Sequence, residues 1–225
     1  GKHVVTANKM AIAMSGGSIE DQAKKSGAAF MYEASVAGTI PVIRVIQDSL
    51  VANDIRKISG IINGTTNYIL SKMANEGQSF EDALKKAQEL GFAEADPTSD
   101  VEGFDARYKI AILSKLAFGI MPEPDQISRT GITGVSVADI EKAKANGSTV
   151  KFIAQAHREG DSVNVSVSPV EISTKHPLAN VDGAMNAVYI DCDNAGEIML
   201  QGAGAGSRPT ASAVVSDIFA IAEKL

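Results

Sequence analysis

The sequence has little of what several functional classes require. Among 225 residues there is one cysteine, Cys192, so no internal disulfide forms and a reducing, cytoplasmic home is the expectation. Histidines are few and scattered, at His3, His157 and His176, which leaves no zinc-ligand spacing. Basic residues are outnumbered, 21 Lys and Arg against 27 Asp and Glu, for a formal net charge of −6 with the two signs interspersed. No basic face is left to neutralise a phosphate backbone, so no nucleic-acid partner is expected. Long apolar runs are missing too: Ile198-Met199-Leu200 and Ala213-Val214-Val215 fall far short of the roughly 20 residues that span a bilayer, and no membrane partner is expected. There is no HExxH, Walker loop, CxxC or Ser-His-Asp order. What is present, 44% hydrophobic, 21% charged and 5% aromatic side chains, fits one large globular domain or a domain and a half.

Hydrophobic patterning divides the chain in two styles. Residues 1–50 alternate extended and helical segments: a buried strand over His3–Ala7, a helix over Ser18–Gly27, an apolar strand over Ala28–Val36 ending in the small turn Ala37-Gly38-Thr39, and a helix opened by Pro41. That order predicts α/β units. Asp54–Ile62 then reads as a strand, and a helix follows Asn63-Gly64-Thr65-Thr66-Asn67. Ser79 three residues before Asp82 predicts a capped helix running to Gly91, and Phe104–Phe118 a second, stopped by Gly119. Alternation of Val163, Val165 and Val167 with Asn164, Ser166 and Ser168, after an extended run over Val150–His157, predicts a hairpin turning at Arg158-Glu159-Gly160-Asp161. Asn186–Asp191 and Glu197–Gln201 predict a second antiparallel pair, so the middle of the chain is α+β. The last element is a helix from Pro209 to Leu225, entered through Gly202–Ser207.

Five acids crowd the span Gly91–Asp105 between the helix that ends at Gly91 and the one that opens at Phe104. Asp105 and Lys109 lie four apart and share a helix face, with Lys109 at the edge of the apolar stripe set by Ile110 and Leu113. Together with Glu94 and Asp100 they could hold an ammonium group beside a lysine able to exchange a proton; a solvated loop with a surface ion pair is the plainer alternative. The turn at 202–206 is either a tight strand-to-helix connection or an anion cradle, and its spacing fails the dinucleotide fingerprint at Ser207. Asn63–Asn67 caps a helix or greets a polar ligand. Lys9 ends a strand, where ligands gather in open α/β sheets, and Glu33 beside the turn Val36–Ile40 offers oxygens to a hard cation.

Taken together, Val4–Lys9, Tyr32–Pro41, Gly60–Tyr68, Gly91–Lys109 and Gly202–Asp217 resemble the homoserine dehydrogenase family, in the family's order and over nearly the whole chain. The resemblance implies NAD- or NADP-dependent reduction of L-aspartate 4-semialdehyde to L-homoserine, on the branch to threonine, methionine and isoleucine, by a homodimer. It implies Lys109 as proton donor, Glu94, Asp105, Asp100, Gly64 and Thr65 as substrate contacts, and Lys9, Gly91 and Gly206 as cofactor contacts. Glu33 with the carbonyls of Val36, Gly38 and Ile40 resembles the family's sodium site. It also implies that residues 1–40 are the remnant of a Rossmann-type nucleotide-binding domain, 41–200 a catalytic and dimerisation domain with a mixed or antiparallel sheet covered by helices, and 201–225 a helix returning to the nucleotide domain. Most of the cofactor domain is then expected to be missing. A lysine-dependent, imine-forming aldolase or lyase and a ligand-free oligomerisation module are the competing readings.

Overall fold

The computed structural model describes residues 1–160 and 162–223, so Asp161 of the expected hairpin turn and Lys224 and Leu225 of the expected last helix lie outside the described residues. A mixed sheet of six strands organises the molecule, in the order β4 (Ser128–Arg129), β6 (Ser162–Ser173), β5 (Ser148–Glu159), β3 (Ile55–Ile61), β7 (Met185–Cys192) and β8 (Glu197–Ala203). Its central strand β3 pairs antiparallel with β5 on one side and β7 on the other. The sequence explains the placement: Ile55, Ile58 and Ile61 fill a strand covered on both sides, and all three are buried. β5 and β6 form the expected long hairpin, and β7 and β8 the second antiparallel pair. Only β4 joins in parallel, against β6.

Side-chain alternation splits the core at the sheet. Phe152, Ala154 and Ala156 of β5, with Val188 and Ile190 of β7, join a large cluster with α3 (Gly64–Glu76), α6 (Phe104–Phe118) and α7 (Val137–Ala145). Ile153, Ala187 and Tyr189 point the other way, onto a smaller cluster closed by Leu178 and Val181. α6 runs where its pattern puts it, with Ile110 and Leu113 essentially inaccessible to solvent, each worth about 1.5–3 kcal/mol of burial. Gly119 ends it in the left-handed conformation at φ 75°, as Gly77 ends α3 at φ 65°. α4 (Phe80–Glu89) begins at Ser79, whose hydroxyl accepts the Asp82 N–H at 3.1 Å.

The first fifty residues depart furthest from expectation. The strand expected over His3–Ala7 is only β1 (Val4–Val5), paired in parallel with β2 (Phe30–Met31), and Val4 is 45% exposed rather than buried. With one short neighbour, such a pair has no layer on both faces to bury its side chains. The helix expected from Ser18 starts nine residues earlier: α1 spans Lys9–Ser26, capped by Asn8, whose Oδ1 accepts the Ala11 N–H at 3.0 Å. Gly16 and Gly17 lower its intrinsic propensity, and packing of Ile12 and Ala13 against the core overrides them. Beyond β2 the chain turns through a 3-10 segment, Glu33–Ser35, instead of staying extended to Val36. Pro41 caps α2 (Val42–Arg44), which continues as a π-helical turn to Ser49. Two helices had no counterpart in the expectations, the four-residue α5 (Thr98–Val101) inside the acidic loop and α7 with its Ser136–Asp139 capping box. The last helix, α8 (Ser207–Ala222), packs back on Glu33–Ser35 and β1.

Candidate active site

α3, α5, α6 and α1 converge on one buried carboxylate. Asp105 stands in the first turn of α6 and is 5% exposed. Its Oδ2 accepts from the Lys109 ammonium at 2.6 Å and from the Asn63 amide at 3.0 Å, and its Oδ1 faces the Lys9 ammonium at 2.9 Å. Burial alone would push this carboxyl upward, but the ammoniums of Lys109 and Lys9 outweigh it and hold the pKa down at about 2. Lys109, one helical turn on, donates a second bond to the Ile62 carbonyl at 2.9 Å, and its side chain is 12% exposed. Two fixed acceptors therefore aim one ammonium whose remaining proton is unassigned.

Asn63 ties the cluster to the sheet. It caps α3 by accepting the Thr66 N–H at 2.9 Å while its Nδ2 donates to Asp100 at 2.7 Å and to Asp105. Of the two alternatives for this turn, the cap is formed, and the same amide also holds two carboxylates. Asp100, in α5, has its carboxyl raised by burial, which the Asn63 bond offsets only in part. Thr65 is buried and donates to the Phe92 carbonyl at 2.6 Å. Gly64 has no room for a side chain, since a Cβ there would lie 2.7 Å from the Ala184 carbonyl oxygen.

The remaining expected residues lie apart from this cluster or at its margin. Glu94 is exposed, and its carboxylate makes no hydrogen bond among the described residues; its carbonyl instead accepts from Gln88 at 3.1 Å. Gly91 ends α4 at φ 76°, exposed, and Gly206 opens α8 at φ 114° with no side-chain cap on that helix. Two signals escaped the sequence: Asn63, hidden by its capping role, and the approach of Lys9 to Asp105 from the far end of the chain.

Glu33 belongs to a second buried cluster. Its Oε1 and Oε2 accept the Ile43 and Arg44 N–H groups at 2.8 and 3.0 Å, its own N–H donates to Asp217 Oδ2 at 2.9 Å, and Asp217 Oδ1 pairs with Arg44 at 2.9 Å. Burial raises the Glu33 carboxyl above its ordinary range, the two N–H groups offset part of this, and Asp217 adds to it. Beside it Ala37 and Gly38 take consecutive left-handed conformations, φ 56° and 60°. A side chain at Gly38 would meet the Gly204 carbonyl at 2.6 Å, which locks this turn against the strand leading to α8.

The fold and site define a mixed α/β protein with a buried aspartate, Asp105, that pairs with the largely enclosed Lys109. The chain belongs to the homoserine dehydrogenase family: the family model described as homoserine dehydrogenase matches residues 41–219. It is 44% identical to the homoserine dehydrogenase of Lactococcus lactis subsp. lactis strain IL1403 over 100% of this chain and 52% of that protein. It superposes on a homoserine dehydrogenase from Thiobacillus denitrificans with a TM-score of 0.93 and 46% identity, over 96% of this chain and 50% of the other. A hyperthermophilic archaeal homoserine dehydrogenase mutant in complex with NADPH matches at TM-score 0.86 and 35% identity, over 99% of this chain and 65% of that one. The chain spans about half the length of the curated relatives it matches.

Proposed function

We propose that this chain carries the substrate-binding and proton-transfer half of a homoserine dehydrogenase, acting on L-aspartate 4-semialdehyde and L-homoserine with NAD or NADP. The carrying observation is Lys109, its side chain 12% exposed and aimed by the buried Asp105 and the Ile62 carbonyl. A reduced nicotinamide, when bound, supplies a hydride to the aldehyde carbon. The work of this chain is at the aldehyde oxygen, where negative charge develops: the Lys109 ammonium stabilises that charge and hands over a proton. In the oxidative direction neutral Lys109 takes the hydroxyl proton. Asp105 orients Lys109 and, with Asp100 and Glu94, provides carboxylate oxygens for the substrate ammonium. Gly64 and Thr65 line the same place.

Lys9, Gly91 and Gly206 are the cofactor contacts in this reading. The uncapped start of α8 suits them, since its free N–H groups favour an anion. Residues 1–40 then complete a nucleotide-binding domain, 41–200 form the catalytic and homodimerisation domain, and 201–225 return to the nucleotide side. A sodium ion fits the second cluster, because Glu33 and Asp217 put two buried carboxylates against the single Arg44 guanidinium, and Glu33, Val36, Gly38 and Ile40 supply oxygens. An imine-forming role for Lys109 is disfavoured by geometry, since its nitrogen is already engaged by the Asp105 carboxylate and the Ile62 carbonyl.

No described helix is long and apolar enough to cross a membrane. Nicotinamide absorbance during incubation with homoserine and NAD or NADP, beside calorimetric titration with homoserine, tests the proposal. Turnover or saturable homoserine binding that disappears in Lys109→Ala and Asp105→Ala is the expected result; a chain that binds no homoserine and reduces no nicotinamide sinks it. Sedimentation as a stable monomer would sink the dimer.

A further inference from the structure

A buried amide behind the site makes none of the bonds it could make. Asn186, on β7, is 1% exposed, and neither its Nδ2 nor its Oδ1 has a partner among the described residues. An unpaired buried amide is costly, and an apolar side chain of the same shape would fill the space without that cost. Its neighbours are two glycine backbones, Gly64 at the start of α3 and Gly204 in the connection from β8 to α8. A Cβ on Gly204 would lie 2.0 Å from the Asn186 Cγ, and one on Gly64 would lie 3.6 Å from its Oδ1. Gly64 directly follows Asn63, whose own amide holds Asp100 and Asp105. Gly204 leads into Gly206 and α8. The amide thus stands where the turn behind the acid cluster meets the turn that opens α8, faced on both sides by peptide groups free of side chains.

We infer that Asn186 is a positioning residue that couples these two turns, its amide gaining hydrogen bonds from them only when they close on a bound amino-acid substrate. The inference rests on the reading of the acid cluster as a homoserine site. A small peptide rotation at Gly204, which glycine permits, would turn a donor or acceptor toward an amide already in contact. Binding that selects the closed arrangement then draws on bonds absent from the open one, so Asn186 strengthens binding without touching the substrate.

The test uses the whole chain, thermal unfolding without ligand, and calorimetric titration with L-homoserine. Asn186→Leu is expected to unfold at or above the temperature of the parent and yet to bind homoserine about tenfold more weakly, the scale of one lost hydrogen bond. A clearly lower unfolding temperature for Asn186→Leu would show the amide already satisfied in the free protein, through a buried water for example, and would overturn the inference. So would unchanged affinity. Gly204→Ala should destabilise, and adding Asn186→Ala should restore the unfolding temperature while leaving binding weak; recovery of both would reduce Asn186 to a steric neighbour and overturn it as well. If the parent binds no homoserine while Asn186→Leu still unfolds at or above it, the reading of the site has failed, and this inference falls with it.

Discussion

Two charge clusters, each built on a buried carboxylate, tie the first fifty residues to later helices, one through Lys9 to α6 and one through Glu33 and Arg44 to α8, and they are balanced in opposite ways. Around Asp105, two ammoniums and an amide surround a single carboxylate, with Asp100 sharing the amide; cationic neighbours win over burial and the Asp105 pKa falls to about 2. Around Glu33, two carboxylates share one guanidinium; burial wins and the Glu33 pKa rises. The same side chain chemistry at similar burial thus yields a permanently charged anchor in one place and an under-compensated anion in the other. The first cluster suits aiming a proton-carrying lysine. The second is short of positive charge and suits a bound cation.

The sharpest break between them should come from chemistry. Lys109→Met keeps a similar stem without the ammonium, and turnover of the assembled enzyme should fall by about 10²- to 10⁴-fold, the usual worth of a positioned acid, while a Glu33→Gln enzyme retains most of its rate in saturating sodium. Steady-state rates with homoserine and nicotinamide measure both. Stability gives the next contrast. Asp105→Ala leaves the Lys109 ammonium, 12% exposed, without its carboxylate and near the more exposed Lys9, and should cost about 3 kcal/mol in denaturant unfolding, whereas Glu33→Gln removes part of an uncompensated charge and should cost far less.

Acid titration separates the two by sign. Because the Asp105 pKa is depressed from an ordinary 3.8 to about 2, its contribution is complete above 3.8 and lost as the pH falls toward 2, an effect of about 2 kcal/mol. Glu33 and Asp100, whose pKa values are raised, act in the other direction: their contribution is present below the ordinary carboxylate range and is lost as the pH climbs through their raised values. Unfolding followed from pH 6 to pH 2 should therefore lose its steepest acid loss in Asp105→Asn and, in sodium-free buffer, lose in Glu33→Gln the stabilisation that protonation of this carboxyl contributes. The smallest effect is ionic. Replacing sodium with tetramethylammonium at constant ionic strength should lower the unfolding temperature of the parent by a few degrees, on the order of 1 kcal/mol, and leave Glu33→Gln unmoved; equal shifts in both would remove the cation from the second cluster.

How much of this was readable in the chain differs from element to element. α6 begins and ends where its pattern and Gly119 place it, and the Asp105–Lys109 pair follows from helix geometry alone, since residues four apart share a face. The hairpins are equally legible, because strict alternation over Val163–Ser168 has one half-buried solution. α1 was misplaced because Gly16 and Gly17 argue against a helix locally, and only the burial of Ile12 and Ala13 argues for it. α7 escaped because its buried positions, Ile140 and Ala143, are too few to stand out among charged neighbours.

The sequence by itself determined the family, the elements with regular apolar periodicity, and the pairing of Asp105 with Lys109, because each depends on spacing within a short segment. Tertiary structure alone decided that Asn63 both caps α3 and holds two carboxylates, that Lys9 crosses to Asp105, that Glu94 stays in solvent, and that Glu33 meets Asp217 across 184 positions of chain. The reason is physical: a local pattern fixes which face of an element is buried, whereas the net charge and desolvation of a site are sums over segments that meet only when the sheet has assembled.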